Sequence, residues 1–598
     1  MLLFTAKKEE SNLYRRLTLT VDLKTANPPA AKSNPTGLSQ RQLLLAFAAL
    51  FLLNLLLRVF YLRYDFVSGD ESVRALTATR FLEGARLYVD IVTDKPPGVT
   101  LVYAAVFALF GRSMTTLHLI AALWNFATSV VIYLTAVRFY SNRTGLAAAT
   151  LFIYFSTNYL THDMMAANTE LFMALPLIAS FYFFMKAGDA LSGEYPARAK
   201  TALLLAGLMA GIAVLFKQVG VMNIVFFAVY ETLALYRASR DFKHSSKARI
   251  LTAIRRSLVR LSFVAGGFGA VIVLFIAWLT TTDSLAGFWR YAVVLGKFYA
   301  GSLPLNLWIE FMLRRTLGYI LFNAALWLLA VGAIIQAFRS RKESRDSHGK
   351  VEEEEDKRDL ANPVDFDVAV TLWGAASFAA VFASGRFFGH YFIQVLPALS
   401  LLASRGIERL SQRLNEDEHR SKAQAAAAIL LFLFLFGFVR FHSGTAVLAY
   451  ETLTGESTRR SRQWGMAIRE SEAEAIALRL RDQVRESEPL YIWDYALDVY
   501  WQTHARPASR FMVPYYLTGQ YPDSTITDPA AEELLRTDRR LFIEDLERTR
   551  PRLILDVYGA IETLPYEEIT RFIKKHYRRD GQIGPLPSRP FVVFRLKN

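Results

Sequence analysis

The chain of 598 residues contains no cysteine, which excludes thiolate nucleophiles, thiolate metal sites and disulfides but does not reveal the compartment. It has no internal repeat of the kind that marks a solenoid or an inverted-repeat transporter. The first 41 residues have no apolar core in the position of a signal peptide. Acidic residues are in deficit: 54 Asp plus Glu against 69 Lys plus Arg leave a net charge of +15. In a soluble protein that excess raises nucleic acid as a partner. Here the basic residues concentrate in loops between apolar runs, where the positive-inside bias and anionic lipid account for them, and no nucleic-acid partner is expected.

What the chain has in abundance is apolar sequence. It is 53% hydrophobic and 13% aromatic, with a mean hydropathy of +0.22, and near-uncharged runs of roughly 17 to 25 residues recur along it, the length that crosses a bilayer. The expected fold is an α-helical polytopic membrane protein with about eleven transmembrane helices, and the candidates are Gln42–Leu62, Met114–Val137, Thr144–Leu160, Leu171–Met185, Thr201–Phe216, Val219–Tyr236, Leu258–Thr280, Thr316–Phe338, Asp367–Ser384, Gly389–Ser404 and Ala425–Phe441. Residues 1–41 are polar and rich in Pro, Ala and Ser, which predicts a disordered cytoplasmic tail. Residues 42–441 form the transmembrane domain. Residues 442–598 alternate helical patterns (Ser461–Gln483, Asp528–Arg548, Tyr566–Arg579) with strand-like runs (Leu490–Trp493, Leu553–Val557, Phe591–Leu596), which predicts a C-terminal soluble α/β domain outside the membrane. The Glu352–Glu355 run reads as a solvated cytoplasmic loop.

Loop charge sets the orientation. Val99–Gly111 is apolar but short, a length typical of a re-entrant or interfacial segment. If it does not span, the basic run Arg237–Arg260, the Arg339–Arg358 insert and the Arg405–Lys422 loop all fall inside; if it spans, they all move outside. The first arrangement puts the amino end in the cytoplasm and the carboxyl end outside. The first external loop then holds a dense, nearly balanced set of charges.

That loop carries an adjacent carboxylate pair, Asp70 and Glu71, opening the helical stretch Ser72–Gly84, whose apolar positions suit a helix lying on the bilayer. A carboxylate there also caps a helix. Further on, Tyr88 precedes the turn Lys95-Pro96-Pro97, where two prolines stiffen the backbone around a lysine that is otherwise an interfacial anchor. The second external loop supplies Asp163 and Glu170 beside a helix start. Lys217 ends the apolar run GLMAGIAVLFKQVG, and boundary lysines tend to be paired or functional. The short turn from Ser384 to Tyr391 adds Arg386, His390 and Tyr391. The topology places all of these groups on one face of the membrane.

In this order, the motifs GDES, YVDIVTDKPPG, NTELFMALPL, GIAVLFKQVG and GRFFGHYFIQVLPALSLLA resemble those of the GT-C membrane glycosyltransferases, in the branch shared by protein O-mannosyltransferases and bacterial aminoarabinose transferases. The resemblance covers roughly residues 42–440, and the segment IWDYALDVYWQTHARPASRF is similar to the external domain of bacterial members. It implies transfer of a sugar from a polyprenyl-phosphate donor to a lipid, glycan or protein acceptor on the non-cytoplasmic face, at the bacterial inner membrane and among membrane lipids. It matches Asp70 to the catalytic base with Glu71 beside it, Glu170 to the acidic position of the second loop with Asp163 as its fallback, and Lys95 to a donor-phosphate contact. Aminoarabinose transferases tend to carry an arginine three residues after the aspartate; here that position is Val73, with Arg74 next to it.

The chemistry asks for the same groups. An acceptor hydroxyl needs a carboxylate base, a role for Asp70. A departing lipid phosphate needs cations, for which Lys95, Lys217, Arg386 and Arg74 are available. His390, Tyr391 and Tyr88 are the expected substrate contacts. A single displacement inverts the anomeric centre. No metal cluster has convincing spacing, so metal-independent catalysis without a cofactor is expected. The rival readings are a transporter, which would place its ionisable residues at the membrane midplane, and a scaffold, which would leave the clustered charges unexplained.

Overall fold

The computed structural model describes residues 38–189, 196–240, 247–347, 365–556, 560–583 and 591–597. The expected tail up to residue 37 and the Glu352–Glu355 run lie outside these. Met1–Leu45 and Ala46–Asn598 are separate compact units. In the first, Ser39 and Gln42 cap the start of the helix Gln40–Leu56 reciprocally: the Ser39 amide donates to Gln42 Oε1 at 2.8 Å, and the Gln42 amide donates to Ser39 Oγ at 3.3 Å.

Seven described helices are long and apolar enough to cross a membrane: Met114–Phe139, Thr169–Lys186, Ala197–Phe216, Gln218–Arg237, Ile250–Thr281, Phe366–Ser384 and Arg420–Thr454. A bent pair, Leu285–Gly301 with Leu305–Phe322, turns through 91° and makes an eighth if counted as one span. The remaining four expected spans are built from shorter pieces. Gln40–Leu56 gives way to the 3-10 turn Val59–Arg63. Asn142–Phe155 has 14 residues. The run from Thr316 breaks at Asn323, whose side-chain oxygen accepts from Asn158 Nδ2 at 2.7 Å. The run from Gly389 opens as a 3-10 turn, Gly389–Gln394, before the helix Leu396–Leu414. Apolar length marks these runs, but polar residues within them end or divide the helices. Val99–Gly111 is the 13-residue helix Gly98–Phe110. The bundle is tight where small residues let backbones meet. A Cβ on Gly207 would lie 1.9 Å from the Val264 carbonyl oxygen, and one on Gly267 would lie 2.0 Å from that of Leu204.

The C-terminal part is a five-stranded sheet built from β1 (Pro489–Trp493), β2 (Arg506–Pro507), β5 (Leu553–Asp556), β6 (Tyr577–Ile583) and β7 (Phe591–Leu596), with a two-stranded ribbon of β3 (Gln520–Tyr521) and β4 (Ser524–Thr525). The sheet order is β2-β1-β5-β7-β6. β1 lies parallel to β2 and β5, with Leu490 opposite Leu553, and β7 runs antiparallel to β5 and β6. β5 is buried throughout and β1 from Leu490 onward, which is why both read as continuous apolar runs. The longest helices that begin in it are Gly465–Leu480, Pro529–Thr549 and Glu567–His576. The last ends before the expected Arg579, because Tyr577 begins β6, a strand without apolar alternation. The helix Arg420–Thr454 continues past Phe441.

The segment between Val59–Arg63 and the helix Gly98–Phe110 is built into this part of the protein. The Val92 amide donates to the Arg510 carbonyl at 3.0 Å, and Leu87, Tyr88, Ile91 and Val92 share a core with the sheet. The helix Gly69–Leu82 therefore does not lie open on a bilayer as expected. Its Leu76 joins the same core, while Glu71, Arg74 and Arg80 are also buried.

Candidate active site

Between the helix ends and the sheet lies a cavity of about 370 Å³. Its walls come from distant segments: Asp70 and Arg74 of the helix Gly69–Leu82, Asp94 and Lys95 of the proline turn, Asp163, Glu170, Lys217, and His390 with Tyr391. Tyr495, Tyr515 and Tyr521 of the C-terminal part, with Tyr299 of the bent pair, add an aromatic side.

The cations and carboxylates are paired. Arg74 Nη2 lies 3.2 Å from Asp70 Oδ2, Lys95 Nζ lies 2.8 Å from Asp94 Oδ2, and Lys217 Nζ lies 2.5 Å from Glu170 Oε1. Lys217 Nζ also sits 3.5 Å from the centroid of the Tyr391 ring, a cation–π contact. His390 Nδ1 lies 2.6 Å from Asp163 Oδ1, and the other Asp163 oxygen accepts from the Gly389 amide at 3.1 Å. That carboxylate therefore fixes both the imidazole and the turn that carries it. Burial works against the charge on His390, but Glu170 and Asp163 together raise its pKa above the ordinary value.

Asp70 is the most open of the paired acids, with 42% of its side chain accessible to the cavity. Desolvation by the cavity walls pushes its pKa up; the charges of Arg74, His390 and Lys95 and the hydroxyl of Tyr495 outweigh that and hold it down to about 2. Tyr495 donates to Asp70 Oδ1 at 3.0 Å. The Lys95 ammonium is held above its ordinary pKa: burial lowers it, and Asp94 with Tyr391 more than reverses that.

Three residues expected at the site are elsewhere. Glu71 is fully buried and does not line the cavity. One of its oxygens meets His118 Nε2 at 2.9 Å and accepts from the Ala167 amide at 2.6 Å, and the other accepts from the Val67 amide at 2.7 Å. It bolts the helix of Asp70 to the segment that precedes the helix Thr169–Lys186, and both of its oxygens are engaged there. Arg386 is also fully buried and outside the wall. Its guanidinium donates to the carbonyls of Tyr299 and Ser384 and to the hydroxyls of Ser302 and Ser524, tying the bent pair to the ribbon rather than meeting a donor phosphate. Tyr88, buried with φ of 67°, donates its hydroxyl to the Lys95 carbonyl at 2.8 Å. It supports the proline turn from behind.

Sequence reasoning missed Asp94, although it stands beside Lys95, and missed the tyrosines. The segment around Tyr495 stood out, but nothing local in it pointed at Asp70. Among the described residues, no three His, Cys, Asp or Glu side chains are grouped so as to hold a metal ion.

Residues 94–254 match the family model described as dolichyl-phosphate-mannose-protein mannosyltransferase. The structure of ArnT from Cupriavidus metallidurans bound to undecaprenyl phosphate is similar, with a TM-score of 0.53 at 15% identity, covering 93% of this chain and 98% of that one. The chain has the GT-C glycosyltransferase fold. The same ArnT in the apo state is similar at a TM-score of 0.52 and 16% identity, over 92% of this chain and 97% of that one. The archaeal oligosaccharyltransferase AglB from Archaeoglobus fulgidus, in complex with an inhibitory peptide and a dolichol-phosphate, aligns over 92% of this chain and 74% of its own at a TM-score of 0.48 and 14% identity. A comparison with curated proteins found no match. The matched segment begins at the proline turn and contains Asp94, Lys95, Asp163, Glu170 and Lys217 of the cavity wall.

Proposed function

We propose that this protein is a multi-pass membrane glycosyltransferase that transfers a sugar from a polyprenyl-phosphate donor to a lipid, glycan or protein acceptor on the non-cytoplasmic face of the plasma membrane, with inversion. The observation that carries this reading is the convergence of Asp70, Arg74, Lys95 and Lys217 on one cavity, closed by the tyrosines of the C-terminal part. The amino end lies in the cytoplasm, the region from 442 onward lies outside, and that region serves as a wall of the site. The ArnT structure with undecaprenyl phosphate supports the class of donor.

In this mechanism Lys95, Arg74 and Lys217 face the donor phosphate, and the acceptor oxygen attacks the anomeric carbon from the opposite side. The bond from that carbon to the phosphate oxygen breaks, the electron pair leaves with the lipid phosphate, and the acceptor proton passes to Asp70. A carboxylate with a pKa of about 2 is a weak base in the empty site. Arrival of a phosphate near Arg74 and Lys95 offsets the charges that hold Asp70 down and raises its basicity when it is needed. Tyr299, Tyr495, Tyr515 and Tyr521 offer ring faces and hydroxyls to the sugar. His390 and Tyr391 border the phosphate, with His390 held by Asp163. None of these steps uses a metal ion, and catalysis is read as metal-independent.

The test is transfer from a panel of prenyl-phosphate sugars in membranes that contain the protein. Release of prenyl phosphate with a sugar appearing on an acceptor supports the reading. Absence of both with every donor, in folded protein, rejects it.

A further inference from the structure

A second cavity, of about 570 Å³, adjoins the first. The two share Ser68, Gly69, His162 and Arg469, so they meet directly beside Asp70. Their charge differs sharply. The first cavity carries Asp70, Asp94, Asp163, Glu170 and Asp523 on its walls. The second carries Arg440, Arg460, Arg469 and His162 and no carboxylate.

The arginines of the second cavity are little neutralised. Arg440 rests over the rings of Phe322 and Phe441, at 5.9 and 5.3 Å, and makes no ion pair among the described residues. Arg460 donates to Ser443 Oγ at 3.0 Å and likewise has no carboxylate partner among the described residues. Arg469 stands at the junction, its Nε 3.6 Å from Asp498 Oδ2. The junction admits no larger residue than glycine on its floor without movement, since a Cβ on Gly69 would lie 2.8 Å from Arg469 Nη1 and 2.9 Å from Tyr495 Cε1. The guanidinium therefore overhangs the start of the helix that carries Asp70.

We propose that the second cavity is the acceptor site and that it selects an acceptor bearing an anionic group, phosphate or carboxylate, close to the oxygen that reaches Asp70. The proposal rests on the glycosyltransfer reading. Guanidinium forks are suited to phosphate and carboxylate, and a wall that supplies several of them without a carboxylate of its own is matched to a ligand that brings the negative charge. The volume suits one or two sugar rings or a lipid head group. The division of charge also keeps two anions apart: the donor phosphate meets Arg74, Lys95 and Lys217, which each have a carboxylate neighbour, and the acceptor anion meets Arg440 and Arg460, which lack one among the described residues.

The test uses the full-length protein in nanodiscs at low salt, with octyl glucoside 6-phosphate and its uncharged parent octyl glucoside as probes, and undecaprenyl phosphate binding measured on the same samples. The phosphorylated probe is expected to bind at least about 10-fold more tightly than its parent, the scale of one charge-assisted contact. In the double variant Arg440→Gln, Arg460→Gln that preference is expected to disappear while undecaprenyl phosphate still binds, which also reports a folded protein. Equal affinity for the two probes, or a preference that survives in the double variant, overturns the proposal. Displacement of the probe by phosphatidylglycerol vesicles assigns the anion to a lipid head group, and displacement by inorganic phosphate alone assigns it to a soluble acceptor; displacement by neither overturns the proposal. If wild-type protein fails to bind undecaprenyl phosphate, the glycosyltransfer reading itself fails. If it binds that lipid without charge preference at the second cavity, only the acceptor assignment does.

Discussion

Tyr495 donates its hydroxyl to Asp70 Oδ1 at 3.0 Å across 425 positions of sequence. The bond joins the helix Gly69–Leu82 to the C-terminal part at the acid to which the proposed mechanism assigns the acceptor proton. It gives that part of the chain a place in the site rather than beside it.

The substitution Tyr495→Phe keeps the ring against Tyr515, 6.3 Å away, and deletes only the hydroxyl. The hydroxyl fixes the direction of the Asp70 carboxylate, and although its loss lets the pKa of Asp70 rise, misplacement of the base is expected to lower kcat/KM by roughly 10-fold or more. Steady-state rates on an active donor check this. A rate equal to wild type would leave Tyr495 as packing.

Asp70→Asn preserves shape and removes the proton acceptor. Turnover is expected to fall by about 100-fold to 10,000-fold, the range for loss of a general base, with donor binding largely retained. Single-turnover measurements with prenyl-phosphate sugar separate the two effects. Wild-type turnover in folded protein would remove Asp70 from the mechanism and leave it as a partner of Arg74.

In the proposed mechanism Lys95 and Lys217 both face the donor phosphate, and replacing either by methionine is expected to weaken donor binding. Their stability effects differ. Lys217→Met strands Glu170, whose side chain is 3% exposed, and an unpaired buried charge costs about 3–5 kcal/mol. Adding Glu170→Gln is expected to recover most of the lost thermal stability but none of the donor affinity. Lys95→Arg keeps charge without restoring affinity, because a planar guanidinium does not fit where an ammonium was seated. Unchanged donor affinity in both methionine variants would return the lysines to interfacial anchors.

His390 gives the site a pH signature. Its folded pKa is raised above the ordinary value of about 6.5, so the stability that its charge contributes is fully present below about pH 6.5 and is lost as pH rises through the raised value. Asp163→Asn is expected to flatten that dependence, since it removes the 2.6 Å partner. Asp70 adds nothing in the same window: with a pKa held down to about 2, its stabilisation is complete above about pH 4 and lost only as pH falls towards 2. Melting temperatures from pH 5 to 9 for the wild type and the variant check the sign. A wild-type profile that rises with pH would contradict it.

Much of this protein could be read without coordinates. Long apolar runs dictate helices that cross a bilayer, because backbone groups have no other partner there, and β1, β5 and β7 announced themselves by short apolar runs. Asp70, Lys95, Asp163, Glu170, Lys217 and His390 stood out because each sits at a turn or helix end, where a charged side chain in apolar surroundings demands a reason. What the sequence could not separate was Asp70 from Glu71. Consecutive helical residues point about 100° apart, and only packing decides that Asp70 opens to the cavity while Glu71 turns in to His118 and the Ala167 amide. Burial of Arg386 under Tyr299, Ser302 and Ser524 is equally a tertiary fact, since no local pattern distinguishes a guanidinium that meets substrate from one that meets backbone. The sequence by itself determined a polytopic helical protein with its chemistry at one set of helix ends. The tertiary structure decided which of those groups share a cavity and brought Tyr495 to Asp70, because contacts between segments hundreds of residues apart depend on how the helices and the sheet pack and not on any local propensity.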